Sequence, residues 1–157
     1  MENICTNDEI VAILGHELGH WKLSHTLKNF VISQFSILIS FFIFGQLMYN
    51  KEMFASFGFT HSTPIIIGLV IVFQAVLAPM NVVTAFLMTM LSRRFEFQAD
   101  TFSRQLGFGE HLKTGLVKLQ RSNLGDMDPD PWYSMYHYSH PPVVERIRAI
   151  NNTMKKE

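Results

Sequence analysis

Cys5 is the only cysteine among the 157 residues, which excludes an internal disulfide and any metal site built on several thiolates. A metal held by this chain must be held by histidine and carboxylate. Charge is also scarce: Asp, Glu, Lys and Arg make up 17% of the chain, against roughly 25% in an average soluble protein. Apolar residues reach 48%, and the balance tilts toward a membrane protein. Thirteen basic residues offset thirteen acidic ones, so no surplus of either sign points to a nucleic-acid partner or an acidic bulk substrate. The N-terminus lacks the basic region and apolar run of a signal peptide, and Met154 stands where a dilysine retrieval signal needs lysine. No stretch alternates as a strand does, and no repeat or low-complexity tract is present. The expectation is an all-α chain forming a single domain, residues 1–157.

Thr6 and Glu9 have the spacing of a capping box, which predicts a helix over residues 6–28. Ile10, Leu14, Leu18 and Trp21 recur along it at helical spacing, which predicts a largely buried helix. Residues 29–50 contain no charge. Twenty-two residues at about 1.5 Å each reach about 33 Å, enough to cross a hydrocarbon core of about 30 Å. Lys28 and Lys51 bracket this stretch, and Trp21 and Tyr49 sit near its ends, as interfacial anchors do. Residues 51–63 read as a polar turn. A second uncharged stretch, residues 64–91, is long enough to cross once with tilt, and Pro79 should kink it. From residue 92 charge returns, and amphipathic helices follow: Leu112, Leu116 and Leu119 mark one face, and Val143, Ile147 and Ile150 another. The segment Asp126 to Pro131 is a proline-broken loop, and Pro141 and Pro142 stand where a last helix would start.

His16-Glu17-Leu18-Gly19-His20 carries the chemistry. Residues four apart share a helix face, so both imidazoles can bind one Zn²⁺ while Glu17 reaches the water that completes the site. Two ordinary helical histidines are the bland alternative. A metzincin needs Gly at position 23 and His at position 26, where this chain has Leu23 and Thr26. His25, five residues past His20, turns away from the ligand face and reads as a surface or interfacial histidine. Several histidines and carboxylates could supply the third ligand, and Glu96 is the choice among them. Asp100, one turn on, would orient a ligating imidazole; a solvated acidic pair beside Arg93, Arg94 and Arg104 is the competing account. Two crossings between His20 and Glu96 would return both to one side of the bilayer. The basic residues Lys22, Lys28, Arg93, Arg94 and Arg104, against Lys51 alone in the turn, put that side in the cytosol. Gly15 and Gly19 each cost about 1 kcal/mol inside a helix, so another backbone packs closely there, whether a neighbouring helix or a substrate.

Gly15-His16-Glu17-Leu18-Gly19-His20-Trp21, Arg93-Arg94-Phe95-Glu96-Phe97-Gln98-Ala99-Asp100 and His137-Tyr138-Ser139-His140-Pro141-Pro142 together resemble the type 1 CAAX prenyl proteases, Ste24-like zinc metalloproteases. HtpX-like quality-control proteases share a similar zinc motif. The resemblance implies an integral-membrane zinc metalloendopeptidase, one Zn²⁺ per chain. Its activity would remove the three residues after a prenylated cysteine, with a zinc-activated water as nucleophile. It further implies His16, His20 and Glu96 as ligands and Glu17 as general base. His140 would donate to the oxyanion, and Arg146 would hold substrate carbonyl or carboxylate groups. Implied partners are the lipid bilayer and prenylated protein or peptide C-termini such as lamin precursors or pheromones. The implied location is the endoplasmic reticulum and inner nuclear membranes. Because such enzymes have more spans than the two seen here, the chain reads as the C-terminal catalytic portion of a longer protein whose N-terminal membrane helices are missing. The alternatives are an HtpX-like protease and an inactive membrane fragment.

Overall fold

In the computed structural model, which describes residues 4–154, Thr6 opens the first helix as its spacing from Glu9 requires. The Glu9 amide donates to the Thr6 hydroxyl at 3.4 Å, and the Thr6 amide donates to Glu9 Oε2 at 2.7 Å. The readings made on residues 1–3 and 155–157 lie outside the described residues. Helix α1 (Asn7–Lys22) stops earlier than the expected residue 28. The Leu23 amide closes back on the Gly19 carbonyl at 3.0 Å, and Ser24 takes a positive φ of 56°. A non-glycine residue there costs about 1–2 kcal/mol, and it redirects the chain into α2 (His25–Leu47).

The helices that follow are α3 (Lys51–Ser56), α4 (Ile65–Ile71), α5 (Ala78–Ser103), α6 (Gly109–Ser122), α7 (Pro131–His137) and α8 (Val143–Met154). No strand occurs among the described residues, so the chain is all-α as expected. It divides into two units, one made of Met1–Thr26 with Phe86–Glu157, the other of Leu27–Ala85, with the boundaries falling inside α2 and α5.

In the Leu27–Ala85 unit, the expected polar turn at residues 51–63 contains α3 instead. Asn50 caps it by accepting from the Met53 amide at 2.9 Å, and Phe54 is fully buried against the face of α4 that Gly68 leaves open. Pro79 acts on the turn before it. Residues Val72–Leu77 are wound as π-helix, with the Ala78 amide reaching back to the Phe73 carbonyl, because proline has no donor and its ring clashes with the carbonyl four residues back. Helix α2 and the helical run from Ile65 are long and apolar enough to cross a membrane. The serines that dilute α2 are satisfied within it: Ser33, Ser36 and Ser40 donate to the carbonyls of Phe30, Ile32 and Ser36 at 2.7, 3.1 and 2.9 Å. Phe35, Leu38, Phe41 and Phe42 remain exposed along it, a surface suited to hydrocarbon rather than water.

The other unit is organised around Ala12, Leu112, Leu116, Val143 and Ile150, with Ile13, Phe108, Val117, Met127 and Ile147 packed against them. The apolar faces predicted for α6 and α8 thus meet each other and α1. For α1 the expected burial is reversed. Leu14, Leu18 and Trp21 are exposed, and the buried positions are Ala12, Gly15, His16 and Gly19. These recur at the same helical period, and their small size lets α5 approach. A Cβ built on Gly15 would meet Ser103 Oγ at 3.0 Å, and one on Gly19 would meet Ala99 Cα at 3.1 Å. The Ser103 hydroxyl donates to the Ala12 carbonyl at 2.7 Å across this contact. The backbone that the two glycines admit is therefore α5. Gly107, with φ of 91°, breaks the helical run after α5 and turns it into α6.

Candidate metal centre

The close contact of α1 with α5 brings three side chains together. His16 Nε2 and His20 Nε2 lie 3.1 Å apart, and each is 3.4 Å from one oxygen of Glu96. The ligating atoms of the three residues all fall within 4.8 Å of one another. Two imidazole nitrogens and a carboxylate oxygen converging on one point are a donor set for a divalent cation. The Glu96 carboxylate is buried, and its Oε2 makes no hydrogen bond of good geometry, its neighbours there being Arg146 Nη1 at 3.2 Å and His16 Nε2 at 3.4 Å. Glu17 is exposed on the same turn of α1 and lines a cavity of about 390 Å³ together with His16, His20, Glu96, His140 and Arg146, above Leu112 and Leu116.

Asp100 lies one turn beyond Glu96 on α5 and holds His16 Nδ1 at 2.9 Å. Asp100 is itself gripped by Arg146, whose Nε donates to Oδ2 at 2.8 Å and whose Nη2 donates to Oδ1 at 2.6 Å. Arg146 was expected to hold substrate groups. Its guanidinium is buried, bidentate on Asp100, and has Nη1 at 3.2 Å from Glu96 Oε2, contacts that tie it to the residues around His16. It is not paired with Glu145, which is held by Arg93 Nη2 at 2.7 Å; Arg93 Nη1 also donates to Ser134 Oγ at 3.0 Å. His140 leaves the loop before α8 with its Nε2 at 3.3 Å from Glu96 Oε1 and its side chain 68% exposed to the cavity side.

Burial works against charge on His16, but contacts with the Asp100 and Glu96 carboxylates outweigh it and raise its pKa to about 9. A field that favours a proton on this ring favours any cation at the same place. His20 goes the other way: burial lowers its pKa and keeps the ring neutral, the form that offers a lone pair to a metal. Burial would raise the pKa of Glu96, but His16 and Arg146 overcome it and keep the carboxylate ionised. For Asp100 burial is likewise overcome, by Arg146 and His16.

His25 was expected at the surface and is instead 2% exposed. Its Nδ1 lies 3.0 Å from His20 Nδ1, its Nε2 lies 3.0 Å from Gln98 Oε1, and its ring stacks on Phe95. The five-residue spacing from His20 misleads because the helix does not continue: the turn at Ser24 swings His25 back toward the motif. Gln98 lies within the motif around Glu96 but was given no role there.

A paired-histidine helix with a glutamate between the two histidines, facing a carboxylate from a second helix, is the arrangement of an all-helical metallopeptidase. A family model described as Peptidase family M48 matches residues 1–154, and the chain belongs to that metal-dependent family. It is 53% identical over 152 residues to the human CAAX prenyl protease 1 homolog, covering 97% of this chain and 32% of that protein. Against CAAX prenyl protease 1 of Saccharomyces cerevisiae it is 36% identical, covering 99% of this chain and 37% of the yeast protein. The crystal structure of S. mikatae Ste24p superposes with a TM-score of 0.75 at 38% identity, over 92% of this chain and 36% of that one. The chain thus spans about a third of the length of the curated relatives it matches.

Proposed function

We propose that this chain forms the catalytic part of a zinc endopeptidase that cleaves after a prenylated cysteine near protein C-termini. The observation that carries the reading is the convergence of His16, His20 and Glu96 within 4.8 Å at the wall of a cavity that Glu17 also lines. Two nitrogens and one oxygen, with no thiolate, suit a catalytic zinc that keeps a position open. When bound, the ion would supply Lewis acidity, polarising the scissile carbonyl and lowering the pKa of water. Similarity to proteins named CAAX prenyl protease 1 supports prenylated substrates.

The residues divide the remaining work. Glu17 takes a proton from the attacking water as its oxygen bonds to the carbonyl carbon, then returns that proton to the amine nitrogen as the C–N bond breaks. His140, reaching from the loop before α8, donates toward the oxyanion. Asp100 fixes the His16 ring, and Arg146 fixes Asp100. The membrane would be that of the endoplasmic reticulum, extending to the inner nuclear membrane, with the site toward cytosol or nucleoplasm. The crowding of Lys22, Lys28, Arg93, Arg94 and Arg104 about the two ends of the spans supports that orientation.

The decisive assay compares cleavage of a farnesylated C-terminal peptide with that of its unprenylated twin, in the wild type and in Glu17→Gln. Lipid-dependent cleavage that Glu17→Gln abolishes while zinc content stays near one per chain is the expected result. Equal cleavage of both peptides would defeat the prenyl reading in favour of general membrane-protein turnover, and full activity of Glu17→Gln would remove the base.

A further inference from the structure

We infer that His25 is a positioning residue for His20: it accepts the Nδ1 proton of His20 and so turns the Nε2 lone pair of that ring toward the cation site. The inference rests on the metallopeptidase reading above and adds a residue which that reading does not use.

The two histidines of the motif are held in parallel fashion. Each presents Nε2 to the shared point, where the two nitrogens are 3.1 Å apart and both 3.4 Å from Glu96. Each therefore has Nδ1 facing away, and each Nδ1 meets a buried partner: Asp100 Oδ1 at 2.9 Å for His16 and His25 Nδ1 at 3.0 Å for His20. A ligating imidazole needs such an acceptor, because the ring binds metal through one nitrogen only when the other carries the hydrogen. For His16 the acceptor is a carboxylate braced by Arg146. For His20 the partner at Nδ1 is a second imidazole, that of His25, and the geometry gives the task to it.

Proton accounting sets the direction. A neutral imidazole has one donor and one acceptor nitrogen. Gln98 Oε1 can only accept, and it lies 3.0 Å from His25 Nε2, so His25 Nε2 carries the hydrogen. His25 Nδ1 is then the acceptor, and the hydrogen in the 3.0 Å contact with His20 belongs to His20 Nδ1. The lone pair of His20 is left on Nε2, where Glu96 and His16 converge. Phe95 fixes the plane of the relay: its ring stacks on that of His25 at 4.1 Å and 8°. Phe95 and Gln98 flank Glu96 on α5, so this one helix carries the third ligand, braces His16 through Asp100, and braces His20 through Gln98 and His25. The break at Ser24 is what makes this geometry reachable, since a straight α1 would carry His25 round to another face.

The test is zinc affinity of the purified protein in detergent micelles, by competition with a chromophoric chelator, with helix content followed by circular dichroism. His25→Phe keeps a ring to stack on Phe95 and removes both nitrogens. His25→Asn places an amide oxygen where Nδ1 stood and restores the acceptor. Losing a residue of this kind weakens metal binding by about 10–100-fold, which is the result expected for His25→Phe with helix content unchanged. His25→Asn should recover most of that loss, and Gln98→Met should lose affinity in the same direction but less. Wild-type affinity in His25→Phe, or equal impairment of the Phe and Asn variants, would overturn the inference, the second by showing that only packing was lost. Tighter binding in His25→Phe would also overturn it, since that is the outcome of the opposite proton order. If His25→Phe does not fold, weakened binding in Gln98→Met beside near-normal binding in His25→Asn upholds the relay, and wild-type affinity in Gln98→Met overturns it. A wild-type protein that takes up no zinc would sink the metallopeptidase proposal itself, whereas zinc-binding variants identical to wild type would sink only the role of His25.

Discussion

A Cβ placed on Gly19 would lie 3.1 Å from the Cα of Ala99 and 3.1 Å from the Cβ of Phe102; α1 and α5 therefore touch nearly backbone to backbone, between His20 and Asp100. The neighbours are main chain and a β-carbon, so they cannot swing aside. Gly19→Ala gains about 1 kcal/mol of helix propensity and meets an overpacking cost of about 1–3 kcal/mol. A net loss of stability is expected, along with weaker metal binding as the two histidines move off Glu96. Thermal unfolding in detergent reads the first effect and chelator competition the second. A raised melting temperature with unchanged metal affinity would show that the helices are not so tightly apposed.

Arg146 offers a choice between two roles with different kinetics. A guanidinium that holds substrate would, when replaced, raise KM and leave the metal alone. One that grips Asp100 at 2.6 and 2.8 Å would lower metal affinity and stability. Arg146→Lys replaces a planar fork by a single point charge and is not conservative here. Leaving one member of a buried ion pair without its partner costs on the order of 3–5 kcal/mol, so Arg146→Met should be worse still. The expected pattern is metal affinity lowered by about 10–100-fold, with KM near wild type once the metal is saturating. A large rise in KM at full metal occupancy would return Arg146 to the substrate.

His140 is expected to behave in the opposite way. Its ring is mostly exposed and 3.3 Å from Glu96 Oε1, beside the donor set without belonging to it. Losing one oxyanion donor lowers kcat by about 10²–10³-fold, and His140→Ala should show such a loss with zinc stoichiometry unchanged. Loss of zinc in that variant would make His140 a ligand, and unimpaired kcat would leave it no catalytic part.

The difference between what could and could not be read from the sequence has a physical origin. His16 and His20 are legible because a four-residue spacing on a helix is itself the geometry of the site. Glu96 and Asp100 follow from the same rule applied once more, and Thr6 with Glu9 announces the helix start. The two candidate spans stand out because each is an uncharged apolar run about as long as a hydrocarbon core is thick. What escapes is whatever depends on a break in periodicity. Ser24 is an ordinary serine whose positive φ no local pattern betrays, yet it decides whether His25 points away from the site or into it. The burial of α1 misleads for a related reason. The hydrophobic stripe of Leu14, Leu18 and Trp21 outweighs Ala12, Gly15 and Gly19 in any reading by hydropathy, but small residues at helical spacing are the ones that let a second helix approach. Arg146 could be placed beside the site from the sequence, but its grip on Asp100 could not, because sequence spacing cannot tell which of the neighbouring carboxylates will claim a guanidinium.

The Glu9 carboxylate ties the N-terminal part of α1 to Lys118 of α6, and this makes stability depend on pH in a way that can be isolated. Glu9 Oε2 accepts from Lys118 Nζ and from the Thr6 amide, both at 2.7 Å. The hydrogen bond from Lys118, followed by that from Thr6, lowers the Glu9 pKa from 4.5 to about 2. Because the folded value lies below the unfolded one, the contribution is complete above about pH 4.5 and fades as pH falls toward about 2. Other carboxylates and the site histidines also respond to acid, so the informative quantity is the difference in unfolding free energy between the wild type and Lys118→Met. That difference should favour the wild type at pH 7 and shrink steadily between about pH 4.5 and 2. A difference that stays constant through this range would mean that Lys118 acts by packing alone and that Glu9 keeps its ordinary acidity.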